Sequence, residues 1–104
     1  MRQAKHYQVI MHHEAATEMT DLVGYIRNSL LNKAAATEQS KYFMQAIASL
    51  HSNALRCPRW AVMRDGTVIR RLYVKNYVLI YSVQKNYVHI LHAFYARQDY
   101  KNRI

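Results

Sequence analysis

The chain is short of the residues that mark several protein classes. It has one cysteine, Cys57, so it cannot close an internal disulfide, and a reducing cytoplasm is the expected compartment. One proline and two glycines among 104 residues leave no room for a flexible linker or a low-complexity tract, and the length suits a single domain, residues 1–104. No apolar run approaches the roughly 18 residues that span a bilayer. The opening residues, MRQAKHYQVIMHHEA, lack the apolar segment of a secretion signal. P-loop, GxGxxG, HExxH and GxSxG motifs are all missing, which removes the common nucleotide, zinc-protease and hydrolase chemistries. Acidic residues are also scarce: six, against fifteen Lys and Arg, for a net charge of +9.

That charge is lopsided. Residues 1–53 carry five basic and four acidic side chains; residues 54–104 carry ten and two. The second part also holds six of the nine tyrosines and the only tryptophan, Trp60. Cations mixed with aromatic rings suit phosphates and bases, or an acidic protein partner.

Periodicity orders the elements. Residues 6–11, HYQVIM, alternate as a first strand. Met19, Leu22, Val23, Ile26 and Leu30 form one stripe of a helix over about 14–31. Asn32 caps a second helix, striped by Phe43, Ala46, Ile47 and Leu50 and running to about His51. Residues 52–67 read as a loop, broken by Pro58 and turned at Asp65-Gly66. VIRRLYV, YVLIYSV and YVHILHAFY follow as three strands joined by tight turns at Lys75-Asn76 and Gln84-Lys85-Asn86. The expected fold is α+β with order β-α-α-β-β-β: an antiparallel twisted sheet with the helix hairpin packed on one face.

Several residues are candidates for chemistry. His12-His13 lack further ligands at metal spacing, so they read as surface histidines and no metal is expected. His89 and His92 are three apart on a strand, which places them on opposite faces, with His92 beside Ile90 and Phe94. It is either a packed histidine or a general acid or base at a strand end. Arg70 and Arg71, being adjacent, also point to opposite faces, so one of them reaches an open face where it can hold phosphate. Arg56, Arg59, Trp60 and Arg64 gather in the loop, where the indole either stacks on a base or covers the core edge.

The element order and two stretches, IRRLYVKNYVLIYSV (69–83) and VHILHAFYARQDYKN (88–102), resemble the RelE/ParE superfamily of toxins from bacterial type II toxin–antitoxin systems. The helix pattern EMTDLVGYIRNSLLNKAAA with MQAIASL agrees, and the resemblance covers nearly the whole chain. It implies a small sheet with the helix hairpin on one face and a concave basic face opposite, bound by a cognate antitoxin. Two activities are implied by the two branches: ribosome-dependent mRNA cleavage by a metal-independent, cofactor-free endoribonuclease, or non-enzymatic inhibition of DNA gyrase. A family member retained only for antitoxin binding is a third reading.

On the cleavage reading, which the basic second half favours, the resemblance places Arg97 with His92 or Tyr95 in catalysis and Arg70 or Arg71 on phosphate, and Arg64 and Lys75 are further candidate phosphate or RNA contacts. Tyr100 and Asp99 pin the tail, with Asp99 orienting Arg97 through an ion pair. One departure stands out: many RelE-like enzymes have an arginine after the tyrosine that opens the third strand, and here Tyr77 is followed by Val78.

Overall fold

The computed structural model describes residues 6–104. The first five residues, part of the stretch read for a secretion signal, lie outside the described residues. The elements run β1 (Gln8–Met11), α1 (His13–Gly24), a π-helical turn (Tyr25–Ser29), α2 (Lys33–Ser49), β2 (Arg59–Val62), β3 (Val68–Val74), β4 (Tyr77–Gln84), β5 (Tyr87–Tyr95) and a 3-10 turn (Lys101–Arg103). Among the described residues no helix is long and apolar enough to cross a membrane.

The five strands form one sheet in the order β1-β5-β4-β3-β2. The β2–β3, β3–β4 and β4–β5 pairs are antiparallel, as the tight turns require. Lys75 and Lys85 open the two-residue turns with φ of 59° and 57°, the left-handed backbone that matches strand twist. The sheet as a whole is mixed, because β1 runs parallel to β5 with Gln8 opposite Tyr87 and Met11 opposite Ile90. The helix hairpin between them acts as the crossover that a parallel pair needs. The strand β2 is the other departure: the expected loop turns back after Pro58 and pairs Arg59 with Arg70 and Val62 with Val68.

The hairpin covers one face. Val23 and Ile26 from α1 and the π turn, Ala36 and Phe43 from α2, and Leu50 at its C-cap are buried against Leu79, Tyr81, Val88, Ile90 and Ala93. Each fully buried aliphatic or aromatic side chain contributes about 1.5–3 kcal/mol. Asn32 caps α2 as expected, its side-chain oxygen accepting from the Ala35 N–H at 3.0 Å. Leu30 departs from the predicted stripe and is 57% exposed. The cause is the π turn, where the Leu30 N–H donates to the Tyr25 carbonyl, five residues back. The wider turn rotates Leu30 off the buried face.

The second face carries its own small core: Ile69, Val78, Ile80, Phe94 and Tyr100 are buried, and Trp60, Leu91 and Ile104 pack around them. The C-terminal tail folds back over this face, so it is not the bare concave basic surface that the resemblance implies. Tyr100 does pin the tail.

Candidate functional site

The geometry of the second face is set by an irregularity in β5. Pairing with β4 shifts between Ile80 and Tyr81: Ile80 faces His92 and Tyr81 faces Ile90, leaving Leu91 as the extra residue of a bulge. An extra residue reverses the alternation of side chains. Ile90 and Ala93 therefore pack under the helices, while His92 and Phe94 lie on the tail side. The same reversal brings His89 and His92 to one groove, of about 490 Å³, together with His12, Glu14 and Asp65. The expectation that these two histidines lie on opposite faces fails for this reason, and His92 shares its face with Phe94 but not with Ile90.

Strand β1 is four residues long, so among the described residues β5 has no strand partner on that side beyond Ile90. Helix α1 starts there and supplies a substitute. The Glu18 carboxylate accepts the Ala93 N–H at 3.1 Å and lies 3.1 and 3.4 Å from His92 Nδ1. A carboxylate only accepts, so the imidazole proton sits on Nδ1. The His92 ring stacks near the Phe94 ring at 5.0 Å, with 17° between the planes. His12 Nε2 is 3.1 Å from His89 Nδ1, so one ring donates to the other and His12 is not a free surface histidine.

Next along the face lies a run of rings and cations. Phe94 stacks on Tyr100 at 5.3 Å, and Tyr100 meets Trp60 edge-on at 5.6 Å. The Arg71 guanidinium lies over Trp60 at 4.7 Å and Tyr73 at 5.7 Å, and donates to the Tyr100 hydroxyl at 3.2 Å. Arg103 lies over Phe94 at 5.2 Å. These arrangements hold guanidinium planes against aromatic faces, a favourable cation–π geometry.

Arg70 points the other way. It donates to the Cys57 carbonyl, next to the helix-side core, and so braces the loop before β2. Tyr81 braces the same loop, its hydroxyl donating to the Ala54 carbonyl at 2.7 Å. Burial, followed by the hydrogen bond with Cys57, pushes the Tyr81 phenol far above its usual range.

The candidate catalytic residues are not brought together. His92 is on the tail side of the sheet. Tyr95 is on the helix side, its ring 5.8 Å from Tyr77, which in turn packs near Phe43. Burial first, then the Tyr95 and Tyr25 phenols, raise the Tyr77 pKa. Arg97 stands exposed in the segment after β5, and among the described residues it makes no hydrogen bond or ion pair. Asp99 is exposed and forms no ion pair with it, so that part of the tail reading is not realised. Of the candidate phosphate contacts, Arg71 reaches the open face, whereas Arg64 lies in the exposed turn before β3. Lys75 lies in the turn after β3, over the Tyr42 ring at 4.6 Å. Sequence reasoning missed Glu18 as a partner of His92. The two are 74 residues apart, and nothing local in either segment signals the pairing.

No protein-family model and no curated protein matches the sequence. Solved structures do match. One, described as a chromosomal ParDE TA system from P. aeruginosa, superposes with a TM-score of 0.73 at 12% identity, covering 89% of this chain and 99% of that one. The two chains share one fold. A second, an archaeal RelE–RelB complex from Pyrococcus horikoshii OT3, gives 0.64 at 17% identity, covering 89% of this chain and 98% of its own. At these identities the likeness establishes architecture, and side-chain roles have to be argued from this chain.

Proposed function

We propose that the chain is the toxin component of a toxin–antitoxin pair and that it acts by binding its target, as in the gyrase-inhibitor branch. The architecture shared with the ParDE and RelE–RelB structures supports the toxin reading. The surplus of ten cations over two acids in residues 54–104 supports an acidic antitoxin segment that orders as it binds. The observation that carries the non-enzymatic reading is that His92 and Tyr95 lie on opposite faces of the sheet, with Arg97 exposed beyond the strand end. General acid–base catalysis requires groups within hydrogen-bond reach of the same reacting atoms. His92 is moreover committed to Glu18 through Nδ1.

The cleavage reading keeps one specific support: Arg71, His89 and His92 share a face. Two assays separate the readings. Purified protein is added to a reconstituted translation reaction read by primer extension, and to a gyrase supercoiling reaction. Loss of supercoiling with intact mRNA is the expected result. Ribosome-dependent cuts that disappear in a folded His92→Ala/Arg71→Ala variant would reject binding-only action.

A further inference from the structure

Away from the histidine groove, the β2–β3 edge forms a second depression of about 530 Å³, lined by Arg56, Pro58, Arg59, Trp60, Arg71 and Tyr73 among others. Among the described residues its lining includes three arginines and two aromatic residues and no acid. Arg56 is braced, donating to the Asn53 carbonyl at 3.2 Å and the Ser49 hydroxyl at 3.0 Å. Arg71 is held against Trp60 and Tyr73 and by the Tyr100 hydroxyl. The Arg59 side chain is exposed and makes no hydrogen bond or ion pair among the described residues. Tyr73 is 57% exposed, so its ring has a face open to solvent.

We propose that this depression binds a nucleoside phosphate, either a free nucleotide or the phosphorylated end of a strand. Arginine forks match phosphate oxygens with paired N–H donors. A single-stranded or free base stacks on an exposed tyrosine. The depression falls within the volume range of small-molecule sites, and it combines flat apolar walls with a few fixed cations, as such sites do. A purely anionic ligand would leave Tyr73 unused, and an apolar one would leave the Arg59 guanidinium unanswered. The assignment shares Arg71 with the cleavage reading but uses neither the histidine groove nor Arg97, and its test reads ligand binding and not toxin action.

Trp60 is the only tryptophan, so its fluorescence reports on this site in the intact chain. The protein is titrated with adenosine 5′-monophosphate, a 5′-phosphorylated tetranucleotide and inorganic phosphate. Saturable quenching by a nucleotide is expected, with inorganic phosphate at least about tenfold weaker because it cannot stack. Arg59→Ala is expected to weaken nucleotide binding by roughly five- to tenfold, and Tyr73→Ala by about tenfold. Lys33→Ala, which removes the same charge from the start of α2, is expected to change it by less than about twofold. Tighter binding of the tetranucleotide identifies a strand end as the ligand, and equal binding identifies the free nucleotide. Absence of saturable quenching overturns the proposal. So does equal binding of inorganic phosphate, or a loss in Lys33→Ala that matches Arg59→Ala, since that pattern reports only bulk charge.

Discussion

Replacing Tyr100 tests how firmly the C-terminal tail is built into the fold. The side chain is 5% exposed, stacked on Phe94, edge-on to Trp60, and its hydroxyl accepts from Arg71. Truncating a packed aromatic side chain to alanine costs about 3–5 kcal/mol in a core that cannot relax. Tyr100 lies in a terminal segment, which can undock instead of holding a cavity open. The global loss is then limited to the tail's own docking energy, and about 2–4 kcal/mol is expected for Tyr100→Ala. In a domain of this size, that lowers Tm by roughly 10–25 °C. Tyr100→Phe removes only the acceptor for Arg71 and is expected to cost about 0.5–1.5 kcal/mol. Circular dichroism melting gives the global change. Trp60 emission, from the single indole, gives the local one, with a red shift expected as Tyr100 and Ile104 leave the face. Unchanged emission together with a Tm shift under about 2 °C in Tyr100→Ala would show that the tail does not close the second core.

Two further tests address the sheet. Glu18→Ala leaves the Ala93 N–H without an acceptor at the unpaired stretch of β5, for a loss of about 1–3 kcal/mol, whereas Glu18→Gln retains an oxygen for that N–H and loses less. Urea midpoints check the order, and equal losses in both variants would reject the strand-edge role. Tyr81 has a raised folded pKa, so its contribution to stability is complete below the ordinary phenol value of 10.0 and is lost as pH rises from there toward the folded pKa. Melting at about pH 8 and pH 11 is expected to show a larger alkaline loss in the natural chain than in Tyr81→Phe; parallel losses would contradict this account of the buried phenol.

Much of this architecture is local and was therefore legible in the amino-acid order. The stripe Val23–Ile26, the Asn32 cap, Phe43 on α2 with Leu50 at its C-cap, and the two lysine turns all follow from spacing within a few residues. So does the opposition of Arg70 and Arg71, because β3 has no irregularity between them. The remainder depended on groups far apart in sequence. The parallel pairing of β1 with β5 joins Gln8 to Tyr87, and a strand's own pattern does not name its partner. The bulge at Leu91 inverted the faces expected for His89 and His92, because one unpaired residue reverses every side chain after it. His92 and Tyr95 both follow the bulge and fall on opposite faces by ordinary alternation, and the chain leaves the sheet after Tyr95, before Arg97. Sequence alone determined which residues could carry charge, stacking and proton transfer. Only tertiary packing decided which of them meet, since register, bulge and tail docking are properties of the whole sheet.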